Sequence, residues 1–196
     1  MFKFDGNIKF INIDSNYIKK LNLVCPEVYY KSVGYDNKPY IGILINEENR
    51  SYVIPLSSAK EKHKNWKNIN QECYLVYEYA LKSKMGDADI WVQDDEENLV
   101  KHIMAVIDIK KMIPVKPEVY KEVNLNKENA DTPEMVKYKD LMNKEYSFCL
   151  KIAGDLIKKA NRLYNSQVTT GKVKKFCCDF KLLEQMCDTY VISYEG

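Results

Sequence analysis

From Asp131 to Tyr164 the apolar residues recur every three or four positions, and no other feature limits the fold as much. Asp131-Thr132-Pro133-Glu134 opens the run with a capping residue, a proline in the first turn and an acid at the positive end of the helix dipole. Tyr138, Leu141, Met142, Cys149, Ile152, Leu156, Ala160 and Leu163 then line one stripe. This pattern predicts an amphipathic helix of roughly 30 residues, with Gly154 as the place for a kink. Gly171 supplies a turn, and a shorter helix over about 176–190 carries Phe180, Leu183 and Met186 on one face. Stripes of this kind must be buried against another layer.

That layer lies upstream. "NIKFINI" (7–13) alternates as a half-buried strand does, and Asp14 or Ser15 can then cap a short helix bearing Tyr17, Ile18 and Leu21. "YIGILI" (40–45) and "SYVIPL" (51–56) are β-branched and aromatic runs joined by 46–50, which predicts a hairpin. "CYLVYEYAL" (73–81) and "HIMAVIDIKKMIPV" (102–115) predict further strands, the second ended by Pro114 and Pro117. The acidic segment 85–98 contains Gly86 and reads as a loop. The expected fold class is therefore α+β, an antiparallel sheet with helices packed against it. One domain is expected over residues 1–196, β-rich over 7–115 and helical over 131–190.

Composition removes several classes. A chain of 196 residues with 45% hydrophobic and 30% charged residues is neither disordered nor membrane-embedded. No apolar run nears the roughly 20 residues of a membrane helix. Met1-Phe2-Lys3-Phe4-Asp5-Gly6 lacks the layout of a secretory signal, so an intracellular location is the default. Cys25, Cys73, Cys149, Cys177, Cys178 and Cys187 form no C-x-x-C and no zinc spacing, and read as reduced core residues.

Net charge is only +2, but it is polarised. Residues 85–99 carry Asp87, Asp89, Asp94, Asp95, Glu96 and Glu97 without a base. Residues 158–181 carry Lys158, Lys159, Arg162, Lys172, Lys174, Lys175 and Lys181 against Asp179 alone. Lys60, Lys62, Lys64 and Lys67 add a second cationic stretch. Either these are solvated faces or one positive face meets a polyanion.

Chemistry concentrates at Pro55-Leu56-Ser57-Ser58-Ala59-Lys60, where hydroxyls and an ammonium follow a strand run. Its S-x-x-K spacing occurs in acyl-transfer enzymes, but the S-D-N and K-T-G partners are absent. Gly171-Lys172 is followed by Val173, so it is no phosphate loop. His63 and His102 are the only imidazoles; His102 sits in a strand pattern and reads as structural, whereas His63 is placed to touch a phosphate. Asp87, Asp89 and the 94–97 run have the charges of a metal site but read as a loop. What remains is phosphate handling without metal. Ser57 and Ser58 can donate to phosphate oxygens, and Lys60 can neutralise transition-state charge. The predicted hairpin brings Lys38 to the same end as Ser57, Ser58 and Lys60.

The residues carry a resemblance. Ile8-Lys9-Phe10 with Ser15-Asn16-Tyr17-Ile18 is similar to the start of the ToxN/AbiQ toxins of type III toxin–antitoxin systems. So are Tyr35-Asp36-Asn37-Lys38-Pro39-Tyr40-Ile41-Gly42, Pro55-Leu56-Ser57-Ser58-Ala59-Lys60 with Trp66 after it, and Ile107-Asp108-Ile109-Lys110-Lys111-Met112-Ile113-Pro114-Val115. The motifs run in order across about residues 8–190.

The resemblance implies a metal-independent endoribonuclease toxin of a phage-defence system, with a MazF/Kid-like twisted antiparallel sheet and no cofactor. It implies cleavage to a 2′,3′-cyclic phosphate and a 5′-hydroxyl, and inhibition by a small pseudoknot RNA that the toxin cuts from a repeated precursor. Toxin and RNA would form a closed hetero-oligomer. Carried over, the catalytic residues are Tyr17, Tyr35, Lys38, Ser57, Ser58 and Lys60. Tyr29, Tyr30 and Tyr40 are alternatives to Tyr35, and Ser57 stands where the family carries Thr. Lys62, His63, Lys64 and Trp66, with Lys172, Lys174 and Lys175 along a groove, are expected to bind RNA, Trp66 by stacking or else as a core residue. The rival reading is a non-catalytic RNA-binding protein.

Overall fold

The structure is a computed structural model describing residues 2–4, 8–30, 40–45 and 50–191, with the backbone alone for 3–4 and 40–45. Among these residues nine strands pair antiparallel in one sheet. They are β1 (Lys3–Phe4), β2 (Phe10–Ile13), β3 (Tyr40–Ile45), β4 (Ser51–Ser58), β5 (Cys73–Leu81), β6 (Ile90–Gln93), β7 (Leu99–Asp108), β8 (Ile113–Val115) and β9 (Tyr120–Glu122). The main path is β5-β7-β4-β3-β2-β9; β1 joins β3, β6 joins β7 and β8 joins β4. The expected pairing of 40–45 with 51–56 is present, with Tyr40 opposite Pro55 and Ile45 opposite Ser51.

Three α-helices among the described residues pack with the sheet. Asp14 caps α1 (Ser15–Val24), its Oδ1 accepting from the Tyr17 N–H at 2.9 Å. Thr132 caps α2 (Pro133–Thr170), with Pro133 in its first turn. This helix runs 38 residues, longer than the periodicity alone predicts, and continues through Gly154. It stops at Gly171, whose φ of 66° suits a residue without a Cβ and whose N–H returns to the Gln167 carbonyl. Asp179 caps α3 (Phe180–Thr189). No helix of the described residues is long and apolar enough to cross a membrane.

The main core lies between the sheet and the helices. Tyr52, Ile54, Leu56, Tyr74, Val76, Ala105 and Ile107 meet Cys149, Leu156 and Ala160 of α2 and Phe180 and Leu183 of α3. All six cysteines are free and buried. Cys177 and Cys178 are both buried because they precede α3 in an irregular segment, where strict alternation does not apply.

Two features position the site. First, a bulge interrupts the β5–β7 ladder: Val76 faces Ala105 but Tyr77 faces Ile103, leaving Met104 as the extra residue. Alternation flips there, so Ile103 and Val106 share a small cluster with Leu75, while Met104 and Ala105 belong to the main core. Second, the acidic segment 85–98 is not wholly loop. Ile90-Trp91-Val92-Gln93 carries three apolar side chains between the acids and forms β6, pairing with residues 100–103 of β7. Because β5 occupies one edge of β7 throughout, β4 and β6 lie end to end along the other.

Candidate active site

The motif Ser57-Ser58-Ala59-Lys60 stands where that line of strands breaks. β4 extends two residues past its predicted end, so both serines are strand residues. Ser57 faces Val106 and Ser58 faces Ala105. The last rung is the Ala59 N–H donating to the Met104 carbonyl at 3.2 Å, on the bulged residue itself. The line resumes at Ile90 opposite Ile103, roughly 7 Å further along at strand spacing. A bulge beside such a break re-aims side chains out of the ladder. Ser57 is half-buried, with its Oγ 3.4 Å from the Val106 carbonyl, whereas Ser58 and Lys60 are exposed.

A short 3₁₀ turn, Glu61–Asn65, fixes the backbone after Lys60. His63 is its buried keystone, only 4% exposed. Its Nδ1 accepts the Lys60 N–H at 2.9 Å, so the neutral ring carries its proton on Nε2. Burial, then the charges of Lys62 and Lys60, hold this imidazole below its ordinary value. His63 was expected to touch phosphate; the structure makes it an internal strut instead. Trp66 is about one-third exposed, packs edge-on against His63 at 4.6 Å and carries the Lys62 ammonium 5.6 Å from its ring centre. Lys64 pairs with Glu61 at 2.9 Å.

The next residues connect this turn to the helical layer. The Asn68 carbonyl accepts from the Leu75 N–H, and its side-chain oxygen accepts from Lys101 Nζ at 3.0 Å. Lys159 Nζ donates to the Asn70 carbonyl at 2.7 Å, and Lys174 Nζ to Glu72 at 2.8 Å. Lys172 and Lys175 are exposed beside Lys174. Sequence reasoning gave Lys101 no role and counted Lys159 only as one charge of the 158–181 stretch, because a lysine in a strand or helix looks like any solvated charge.

Tyr17 differs from its expected place at the reacting phosphate. It is fully buried, donates its hydroxyl to the Pro114 carbonyl at 2.8 Å and packs against Tyr190 at 4.9 Å. Burial pushes its phenol far above the ordinary value of 10.0. Tyr35 and Lys38 lie outside the described residues. His102 sits within β7, its ring nitrogens 3.4 Å from Glu78 and 3.6 Å from Asp89. No three or more His, Cys, Asp or Glu side chains among the described residues are grouped so as to hold a metal ion.

Solved structures share this architecture. AbiQ, described as a lactococcal anti-phage endoribonuclease of a type III toxin–antitoxin system, superposes with a TM-score of 0.67 at 22% identity over 93% of this chain and 97% of its own. A toxin described as selectively inhibited by a non-coding RNA pseudoknot does so with a TM-score of 0.64 at 26% identity over 93% and 96%. Residues 9–188 match the family of the toxin ToxN of type III toxin–antitoxin systems, and the chain belongs to that family. Endoribonuclease ToxN of Bacillus thuringiensis subsp. kurstaki is 27% identical over 94% of this chain and 84% of that protein. The ToxN of Pectobacterium atrosepticum is 28% identical over 91% of each.

Proposed function

We propose that this protein is a metal-independent endoribonuclease toxin acting in the cytoplasm on cellular or phage mRNA. The observation that carries the reading is the pairing of exposed Ser58 and Lys60 with a strand end that terminates on the Met104 bulge. The ribose 2′-OH attacks its own 3′-phosphate in line. The O2′–P bond forms, the P–O5′ bond breaks, and the 2′ proton leaves to a base while the 5′ oxygen takes one up. A 2′,3′-cyclic phosphate and a 5′-hydroxyl result.

Lys60 and Lys38 offset the charge that grows on phosphorus-bound oxygen. Ser58 and Ser57 hold the non-bridging oxygens. Tyr35 assists proton transfer. Tyr17 acts from the core, tying α1 to Pro114, as a positioning residue. RNA lies along Lys62, Lys64 and Trp66 and on towards Lys172, Lys174 and Lys175. The same site processes a repeated precursor into a small pseudoknot RNA, which then inhibits it in a closed toxin–RNA assembly. The MazF/Kid-like character of the sheet belongs to this proposal too.

The decisive experiment is incubation of purified protein with end-labelled RNA in excess EDTA. Cleavage to cyclic phosphate ends, lost in Lys60→Ala and Ser58→Ala, is the expected result. Binding without cleavage would make it a non-catalytic RNA-binding protein. Cleavage abolished by EDTA and restored by a divalent ion would remove the metal-free mechanism.

A further inference from the structure

We propose that Phe176 is a base-stacking platform for an unpaired nucleotide of bound RNA, presented on a strained turn between α2 and α3. This rests on the RNA-cleaving reading above and names a recognition element for it.

The turn is Lys174-Lys175-Phe176-Cys177, closed by the Cys177 N–H donating to the Lys174 carbonyl at 3.0 Å. Phe176 has a φ of 61°, and it alone among described non-glycine residues has a positive φ. A closed turn with positive φ at its third position only is type II, where glycine or asparagine is the ordinary occupant. An aromatic side chain there is disfavoured by its own Cβ. Burial offers little in return, because Phe176 is 57% exposed. Its ring contact is the Lys175 ammonium, 4.9 Å from the ring centre.

The strain is held from the C-terminal side. Gln167, buried in α2, donates to the Cys178 carbonyl at 3.0 Å and accepts from the Phe180 N–H at 2.7 Å. The Cys178 N–H is tied to the Lys110 carbonyl at 2.8 Å, and both cysteines are buried. These bonds fix the chain immediately C-terminal to the turn, on which the Phe176 ring stands exposed. Strained backbone kept by surrounding structure clusters at active sites and ligand clamps.

Charge selects the occupant. Lys175 lies over the ring, Lys172 and Lys174 are exposed neighbours in the same segment, and Lys174 is paired with Glu72. An exposed aromatic set among cations suits a stacked base with its phosphate, and suits an apolar protein surface poorly. The turn also reaches the sheet. Lys174 pairs with Glu72, which by strand spacing lies about 14 Å from Ser57 across β7. A single strand with a phosphate near Ser57 would span that distance in a few nucleotides.

The test is fluorescence anisotropy with a fluorescein-labelled single-stranded 2′-O-methyl RNA, which lacks the attacking hydroxyl. Phe176→Ala should weaken binding about tenfold, in the range stacking of one base supplies. Phe176→Gly should weaken it equally while raising the melting temperature, because glycine removes the strain. Phe176→Trp should bind like the parent, with indole fluorescence quenched by the RNA. Unchanged binding in Phe176→Ala and Phe176→Gly overturns the platform. If in addition parent and Lys60→Ala still differ in cleavage of ordinary RNA, the nuclease reading survives that failure. A parent that neither binds nor cleaves RNA removes both. A change in sedimentation of Phe176→Ala with unchanged RNA affinity would instead mark a protein contact, and likewise overturns the platform.

Discussion

The imidazole Nδ1 of His63 accepts the backbone N–H of Lys60 at 2.9 Å, and the His63 N–H returns a bond to the Lys60 carbonyl at 2.8 Å. The two residues thus lock each other's backbone at the strand end. His63→Ala should cost about 1–3 kcal/mol, the range for losing a buried partner. It should also lower the cleavage rate without abolishing RNA binding. Urea unfolding and single-turnover cleavage measure the two effects. A variant as active and stable as the parent would remove the strut.

The same contact has a pH signature. Burial, then Lys62 and Lys60, depress the folded His63 below its ordinary 6.5. The unfolded chain therefore binds the proton more readily. This contribution to stability is present above pH 6.5 and is lost as pH falls through the folded value. Urea midpoints at pH 7.5 and 5.5 should fall further for the parent than for His63→Ala, because other titrating groups act on both proteins alike.

Ser57 and Ser58 should separate. Ser58 is exposed, whereas Ser57 Oγ already lies near the Val106 carbonyl. In the proposed mechanism Ser58→Ala loses about 10²–10³ in rate, the scale of one transition-state donor. Ser57→Ala should lose less. Equal losses would mean that Ser57 abandons Val106 when RNA binds.

Glu184 is 4% exposed, with its Oε1 accepting from the Tyr52 and Tyr164 hydroxyls at 2.7 Å each and Oε2 2.9 Å from Lys181. Burial pushes this carboxyl up, but the bonds from Tyr164, Lys181 and Tyr52 outweigh it and hold it below 4.5. Its contribution is present above pH 4.5 and lost on acidification through the folded value. Glu184→Gln should cost about 1–3 kcal/mol at neutral pH and flatten that acid limb of the stability curve.

Gly154 lies on the exposed side of α2, and a Cβ there would meet nothing within 4 Å. Gly154→Ala should stabilise by about 1 kcal/mol, worth about 3 °C in melting temperature. Gly171→Ala, also sterically open but at φ +66°, should destabilise by about 1 kcal/mol. Calorimetry on the pair tests whether the left-handed backbone, rather than crowding, sets the sign.

The start of α2 was legible because Thr132, Pro133 and Glu134 act locally, through hydrogen bonding, fixed φ and dipole. The β3–β4 hairpin was legible because both runs are continuous and adjacent. β6 was not, since four residues between acidic flanks give too short a period, and their strand state depends on the distant β7. At the candidate site, Ser57, Ser58 and Lys60 stand out by residue type and spacing. The Met104 bulge could not, because a bulge exists only relative to a partner strand. Nor could the burial of Tyr17 and His63, since polar aromatics serve both core and surface and only packing decides.

The placing of β7 has a temporal consequence. Ser57 and Ser58 find their ladder partners in residues 106 and 105, and β6 and the whole of β5 find theirs on the same strand. A ribosome makes β4, β5 and β6 before it makes β7. The growing polypeptide therefore carries every side chain of the motif well before it can hold them in place, and the site is assembled only when the strand that organises it emerges.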